Sequence, residues 1–162
     1  MLQPPEYTSV IPFEADDHLD GLMLVCSDGR FENHVDDFRK YLVETTELRR
    51  LDRYFVPGAQ LQFLSREAGY PDADLTTGFW ARFFIDHHHT GKVIIIGHEH
   101  CAAYRFAPAY QNLSDDELRE RQNTDLRLIR DFITNKYPSI SVHLYYMRPT
   151  IKNNAVEFFR VE

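Results

Sequence analysis

Short apolar runs alternate with amphipathic stretches along this chain, and the pattern predicts strands separated by helices. Residues 22–26, Leu-Met-Leu-Val-Cys, are closed by Ser-Asp-Gly and predict a buried strand that runs into a turn. Residues 92–97 are rich in β-branched side chains and predict a second buried strand. A shorter strand is predicted over residues 54–56, ended by Pro57-Gly58. Strands that are apolar on both faces are typical of a parallel sheet covered by helices.

Apolar residues at helical spacing predict the intervening helices. The longest amphipathic pattern covers residues 35–51. Shorter helices are predicted over residues 61–68 and between residues 75 and 89, where aromatic side chains recur at helical intervals. Ser114-Asp115-Asp116-Glu117 forms a capping box that predicts the start of a polar helix running to about Lys136.

The end of the chain predicts a hairpin. Residues 139–147 and 155–161 alternate between apolar and polar positions, with Lys-Asn-Asn between them. The predicted fold class is therefore α/β: a single domain with a mostly parallel central β-sheet flanked by helices, and an antiparallel C-terminal edge hairpin. Residues 1–20 are Pro-rich and acidic and predict an N-terminal arm, which leaves residues 21–162 as the α/β domain.

Composition narrows the possible partners. The 162 residues suit one domain, and 43% hydrophobic residues can form a core. Eighteen basic against 25 acidic residues give a net charge of −7, which argues against nucleic acid as a partner. No apolar run approaches the roughly 20 residues of a membrane span, so we predict no membrane and a cytoplasmic location. A reducing cytosol disfavours a disulfide between the only two cysteines, which raises the question of a metal or a redox role.

Three candidate metal ligands follow two of the predicted strands. Cys26 ends the first buried strand, and His98 and Cys101 follow the second. The carboxyl ends of parallel strands form the binding crevice of an open α/β sheet, so these side chains converge if the two strands are neighbours. Two thiolates and an imidazole suit zinc and leave its fourth position for water or substrate. We prefer His98 to His100 because His98 precedes Cys101 by three residues.

A carboxylate and a guanidinium lie in the turn after the first strand. Asp28 and Arg30 follow Cys26 at alternate positions. Arginine can clamp a carboxylate with two hydrogen bonds, which would keep Asp28 ionised and oriented. A carboxylate beside a metal can accept a hydrogen bond from the metal's water and orient it. We therefore predict a catalytic role for both residues, although a simple turn-stabilising ion pair is the alternative.

These two motifs resemble those of the β-class carbonic anhydrases. Cys26-Ser27-Asp28-Gly29-Arg30 is similar to the Cys-x-Asp-x-Arg signature of that family, and Gly97-His98-Glu99-His100-Cys101 is similar to its His-x-x-Cys signature after an Ile-rich strand. The loop at residues 56–61 resembles the family's Arg-Asn-x-Ala/Gly-Asn-Leu loop in its second half. The resemblance covers roughly residues 22–104.

The resemblance implies a site and a reaction. It makes Cys26, His98 and Cys101 the zinc ligands and Asp28 with Arg30 the dyad beside the metal; in a closed form Asp28 becomes the fourth ligand. The loop residues Gly58, Ala59 and Gln60 are then expected in the substrate pocket. The implied reaction is zinc-dependent reversible hydration of carbon dioxide to bicarbonate by zinc-bound hydroxide. The family also implies a homodimer or higher homo-oligomer.

Departures from the family pattern keep alternatives open. Val56 and Pro57 stand where the family has Arg and Asn, and Ala102 stands where it has Gly, so a methyl group is expected to crowd that turn. One alternative is a non-catalytic zinc-binding homologue that acts as a bicarbonate-responsive or interaction module. Another is a hydrolase of a related small molecule such as carbonyl sulfide or carbon disulfide. Nucleophilic cysteine chemistry, as in a phosphatase or a protease, is the weakest alternative.

Overall fold

A computed structural model describes residues 19–64, 85–88, 90–150 and 154–162, and it contains one five-stranded sheet. The strand order is β2-β1-β3-β4-β5; β2, β1, β3 and β4 are parallel to one another, and β5 is antiparallel to β4. The strands are β1 (Gly21–Cys26), β2 (Leu51–Val56), β3 (Lys92–His98), β4 (Ser141–Thr150) and β5 (Ala155–Val161). This confirms the predicted α/β class, including the antiparallel hairpin at the edge.

Helices cover both faces of the sheet. They are α1 (Glu32–Thr45), α2 (Ala102–Phe106) and α3 (Asp115–Lys136), with short 3-10 helices at Gly29–Phe31, Ala59–Leu64 and Pro108–Tyr110. Alternate residues of the central strands point to opposite faces. Leu24 and Ile95 pack with α3, whereas Val25 and Ile94 pack with α1. The strands are thus apolar on both sides because each side has its own helical cover.

The helix predicted over residues 35–51 ends earlier than the apolar pattern indicates. Helix α1 stops at Thr45, and Thr46 is extended, with its backbone N–H and its hydroxyl both donating to the carbonyl of Leu42. Asp20 accepts hydrogen bonds from two backbone N–H groups at residues 49 and 50, which fixes the chain on its way into β2. The last apolar residue of the predicted helix, Leu51, is the first residue of β2. The prediction was wrong there because tertiary hydrogen bonds override helical spacing.

The short helix predicted over residues 61–68 also differs from the observed structure. Residues Ala59–Leu64 form a 3-10 helix, and residues 65–68 lie outside the described part. Gly58 has a φ of 73°, which suits glycine, and its carbonyl accepts a hydrogen bond from Leu61. The helix predicted between residues 75 and 89 lies almost entirely outside the described residues. So does most of the predicted arm at residues 1–20.

The capping box at Ser114 is confirmed. The Ser114 hydroxyl accepts from the backbone of Glu117, and the Glu117 carboxylate accepts from the backbone of Ser114, so α3 begins where the sequence predicts. Within the described ranges, none of the helices combines the length and the hydropathy of a membrane span.

Candidate metal centre

Three side chains meet at the carboxyl edge of the sheet because β1 and β3 are neighbours. Cys26 is the last residue of β1, and His98 is the last residue of β3. After a two-residue turn, Cys101 occupies the N-cap position of α2. The turn is tight: His100 has a φ of 55°, in the left-handed region. All three predicted ligands are buried.

The distances fit a single ion. One ligand atom from each of Cys26, His98 and Cys101 lies within 4.8 Å of the others. The two Sγ atoms are 3.9 Å apart. Tetrahedral zinc with Zn–S bonds of about 2.3 Å holds two sulfurs about 3.8 Å apart. The observed sulfur separation therefore matches two thiolates on one zinc.

The imidazole of His98 is oriented for the same point. Its Nδ1 is 2.9 Å from the backbone carbonyl of Glu99, and a carbonyl can only accept, so Nδ1 carries the proton. Nε2 is buried and has no hydrogen-bond partner among the described residues. The Phe31 ring packs against the imidazole with centroids 4.7 Å apart. A buried lone pair without a partner is costly. A metal ion between the two sulfurs and this nitrogen would satisfy it.

The sulfur of Cys26 is stabilised as a thiolate. Its pKa is lowered because the Cys101 thiol donates a hydrogen bond to it and because His98 lies nearby; the Gly58 backbone N–H also donates to it, over 3.2 Å. Burial acts in the opposite direction. The pKa of Cys101 is raised in turn, since the proton between the two sulfurs stays on it. The donor set thus consists of one thiolate, one thiol that metal binding would deprotonate, and one imidazole whose Nε2 is unpartnered among the described residues.

Asp28 and Arg30 form a bidentate pair beside the ligands. The Arg30 Nε is 2.9 Å from Asp28 Oδ1, and its Nη2 is 2.5 Å from Oδ2. The Arg30 backbone N–H also donates to Oδ1 over 3.1 Å. These bonds to Arg30 lower the pKa of Asp28. Within the described residues, Asp28 is not part of the group of close ligand atoms, so in this structure that group has three members.

Two clefts border this group. A cleft of about 190 Å³ is lined by both Cys26 and Asp28, and its apolar walls come from Phe31, Val35 and Phe55. A second, larger cleft of about 400 Å³ is lined by polar and apolar residues that include Cys101 and Arg30. One ligand, Cys26, thus lines a mainly apolar cleft, and another, Cys101, lines a cleft with many charged side chains.

The loop residues predicted to line the substrate pocket lie deeper. Gly58 contacts the Cys26 sulfur through its N–H, as described above. Ala59 and Gln60 are fully buried and are not among the residues lining either cleft. Both polar atoms of the Gln60 side chain lack a hydrogen-bond partner among the described residues. Their role in a pocket stays a prediction.

The structure also shows the exposure and the partners of three further residues near the motifs or in the histidine run. His100 is exposed, and its carbonyl accepts a long hydrogen bond of 3.4 Å from Arg30. Ala102 is exposed at the first position of α2, so the expected crowding of the turn by its methyl group was wrong. The sequence also contains three consecutive histidines, His87-His88-His89; His88 pairs with Asp52 at 2.6 Å, and His89 lies outside the described residues.

Several side chains around the site were missed from the sequence. Phe31 packs on the His98 ring, Arg119 of α3 binds the side chain of Glu99, and Asp125 of α3 binds the Tyr104 hydroxyl over 3.0 Å. Only Phe31 carries a usable signal, since it directly follows the first motif. The two α3 residues lie about 20 positions from their partners, and no spacing rule links them.

The similarity of this chain to known proteins lies in its fold. No family model matches the sequence, and no curated protein matches it. Among solved structures, β-carbonic anhydrase isoform I from Trichomonas vaginalis matches with a TM-score of 0.56 and 10% identity, over 95% of this chain and 90% of that one. The β-carbonic anhydrase CafA of Aspergillus fumigatus matches with a TM-score of 0.51 and 16% identity, over 88% and 76%.

A third match concerns assembly. Two tetrameric β-carbonic anhydrases were described from Sordaria macrospora, and one of these structures matches with a TM-score of 0.51 and 10% identity, over 87% of this chain and 80% of that one. At such low identity these matches show the fold and nothing further. The chain has the fold of the β-carbonic anhydrases, as the two sequence motifs predict.

Proposed function

We propose that this chain is a zinc enzyme that hydrates carbon dioxide reversibly to bicarbonate. One observation carries the proposal: in a β-carbonic anhydrase fold, two sulfurs and an unpartnered, buried imidazole nitrogen converge within 4.8 Å at the carboxyl edge of the sheet. We assign Cys26, His98 and Cys101 as the zinc ligands. Bound zinc would supply a Lewis acid that lowers the pKa of a water to about 7 and so provides a nucleophile.

The dyad would orient that nucleophile. Arg30 holds Asp28 in a bidentate pair and keeps it ionised, so the carboxylate can only accept hydrogen bonds. Asp28 lines the same cleft as Cys26. An acceptor at that place favours one orientation of a water or hydroxide, with its proton toward Asp28 and a lone pair toward the substrate. We do not assign Asp28 as a fourth ligand, because within the described residues its carboxylate is not part of the close group of ligand atoms.

The smaller cleft fits the substrate. Carbon dioxide is small and apolar, and the aromatic and aliphatic side chains of Phe31, Val35 and Phe55 line a space of about 190 Å³. The product bicarbonate is an anion and is better accommodated in the polar cleft, where Arg30 contributes to the lining. The anionic product would then leave toward the polar cleft.

We also propose that the chain forms a homo-oligomer in the cytoplasm. The support for assembly is the tetrameric state of the similar proteins from Sordaria macrospora. Size-exclusion chromatography with light scattering tests it: a dimer or tetramer is expected, and a monomer at micromolar concentration would contradict it. The cytoplasmic location rests on the sequence prediction alone.

A stopped-flow assay on protein of measured zinc content tests the enzymatic proposal. We expect one zinc per chain and a rate of carbon dioxide hydration well above that of buffer between pH 7 and pH 9. The matched control is the Cys26→Ala protein treated in the same way. A zinc-loaded wild-type protein no faster than buffer over this range would refute the enzymatic function.

A second candidate is a zinc-binding homologue without turnover, which acts as a bicarbonate-responsive or interaction module. The observation that favours it is Gln60, which is fully buried with both polar atoms unpartnered next to a loop that has lost two polar residues, at Val56 and Pro57. Full zinc occupancy without hydration would favour this candidate. Hydrolysis of carbonyl sulfide or carbon disulfide by the same protein would favour a change of substrate instead.

A further inference from the structure

The turn between His98 and Cys101 is held by a partner outside the ligand motif. Residues 99 and 100 join two of the three assigned ligands, so any movement of this turn changes the angle between an imidazole and a sulfur. Glu99 has the more shielded side chain of the turn, which is only 12% exposed, whereas His100 is exposed. The position of Glu99 therefore decides the geometry of the turn.

The backbone of Glu99 makes two contacts. Its N–H donates to the carbonyl of Met147 on β4 over 2.9 Å. Its carbonyl oxygen is the acceptor 2.9 Å from His98 Nδ1, the bond that leaves Nε2 free for a metal. The carbonyl has to point at the imidazole for this tautomer to be favoured, and a rotation of the peptide would remove the bond.

The side chain of Glu99 is bound by Arg119. The Arg119 Nε donates to Glu99 Oε1 over 3.1 Å, and its Nη2 contacts the same oxygen more closely. The third nitrogen, Nη1, donates to Asp116 Oδ1 over 3.0 Å, which orients the guanidinium from the first turn of the same helix. Arg119 is partly shielded, since its side chain is 34% exposed. A guanidinium with three hydrogen bonds has little freedom to move.

Helix α3 provides a rigid base for this guanidinium. The capping box at Ser114 fixes its first turn, and Leu118, one residue before Arg119, is buried in the core. Arg119 thus transmits the position of a well-packed helix to a turn that contains a left-handed residue, His100.

We propose that Arg119 is a positioning residue of the metal centre. It holds the Glu99 side chain so that the Glu99 carbonyl keeps the proton on His98 Nδ1 and directs Nε2 toward the two sulfurs. The inference rests on the proposed function, since it assigns His98 to zinc. Without Arg119 the Glu99 carboxylate would be left nearly buried and unpaired, and it would turn toward water and rotate the peptide that carries the acceptor.

The test compares Arg119→Met with Arg127→Met. Arg127 lies two turns further along α3 and donates to the carbonyl of Glu162, so it controls for the loss of an arginine from this helix. Zinc is transferred from each holoprotein to an excess of a chromophoric chelator. We expect Arg119→Met to lose zinc about 10-fold faster than wild type, in line with the effect of removing other partners of metal ligands. Arg127→Met should stay within about twofold of wild type.

A spectroscopic measurement separates positioning from general destabilisation. Cobalt(II) is substituted for zinc, and the visible spectrum reports the ligand geometry. Arg119→Met should change the band positions, Arg119→Lys should restore most of them, and the double variant Glu99→Gln/Arg119→Met should be no worse than Arg119→Met alone, because the two residues act as one pair. If Arg119→Met does not fold, the comparison of Arg119→Lys and Glu99→Gln with wild type replaces it.

The outcomes distinguish the two proposals. A wild-type protein that binds zinc stoichiometrically, with Arg119→Met identical to Arg127→Met in both measurements, would overturn the role of Arg119 and leave the zinc assignment standing. A wild-type protein that takes up neither zinc nor cobalt would overturn the proposed function, and the role of Arg119 with it. A faster loss of zinc with an unchanged cobalt spectrum would show that Arg119 stabilises the fold only.

Discussion

The two strand ends that supply the assigned ligands are supported in different ways. After β1, Asp28 and Arg30 bind each other within three residues, and the Arg30 side chain is 64% exposed. After β3, the segment around Cys101 is held from helix α3 at two points: Arg119 binds Glu99 before the cysteine, and Asp125 binds Tyr104 after it. The first support is local and has an exposed guanidinium, whereas the second is long-range and includes the fully buried Asp125.

This difference predicts which substitutions alter turnover and which alter the geometry of the metal centre. An exposed ion pair contributes little to stability, because water screens it. Its value lies in the orientation of one carboxylate. A buried charge such as Asp125, which is fully inaccessible, affects stability strongly when it loses a partner. Substitutions near β1 should therefore alter turnover, and substitutions near β3 should alter metal binding and folding.

The largest expected effect is on zinc affinity in Cys101→Ala. A zinc site with four protein ligands binds with about 10–16 kcal/mol, so each ligand contributes roughly 3 kcal/mol, or about 100-fold in affinity. We expect at least this loss in a chelator competition assay. His100→Asn is the matched control: it changes the exposed histidine of the same motif to a residue that tolerates its left-handed backbone, and it should retain zinc. One zinc per chain in Cys101→Ala at unchanged affinity would disprove the ligand assignment.

The next effect is on turnover in Asp28→Asn. The amide can donate a hydrogen bond where the carboxylate can only accept, so the nucleophile loses its orientation while the three ligands are unchanged. We expect kcat for hydration to fall about 10- to 100-fold with full zinc content. Glu157→Gln, which alters an exposed ion pair with Arg148 on the hairpin, should leave kcat unchanged. Full activity of Asp28→Asn would show that the dyad is only a structural pair.

A smaller effect is expected on the free energy of unfolding in Tyr104→Phe. Tyr104 is fully buried, and its hydroxyl donates to Asp125 Oδ2 over 3.0 Å. Arg121 remains as a partner of the carboxylate at 2.8 Å, so we expect a loss of about 1.5 kcal/mol in urea denaturation. Tyr41→Phe, at a position 56% exposed, is the control and should change stability little. Equal stability of the two variants would mean that α3 does not anchor α2 through this bond.

The smallest effect concerns the pH dependence of the stability that the Asp28–Arg30 pair contributes. Arg30 lowers the pKa of Asp28 in the folded state. The pair therefore stabilises the protein above the unfolded pKa of about 3.9, and this contribution is lost as the pH falls through the lower folded value. With a chelator present throughout, wild type should exceed Asp28→Asn by less than about 1 kcal/mol at pH 7 and by less still at pH 3. A difference that grows on acidification would contradict this sign.

Much of the fold follows from local sequence patterns. Every residue of β1 is buried, as its unbroken apolar run predicts. Helix α3 begins at the predicted capping box. The sequence prediction was wrong where a tertiary contact, and not the apolar spacing, determines the end of a helix. The apolar spacing continues from α1 through Leu51, yet the chain leaves the helix at Thr46, because Asp20 binds the backbone ahead of β2. Periodicity records which residues are apolar, and it cannot show which neighbour will cover them.

For the candidate site, the sequence by itself determined the residue types at two strand ends and their local order. Cysteine, aspartate and arginine occur at the end of one strand, and histidine and cysteine at the end of another. Each motif spans a single turn, so the sequence spacing of its residues determines their relative positions. Only the tertiary structure decided that β1 and β3 are adjacent, so that sulfurs 75 residues apart lie 3.9 Å from each other. It also decided that Phe31, Arg119 and Asp125 surround them. The physical reason is that strand order and side-chain pairing across helices depend on the burial of the whole sheet, which no segment encodes alone.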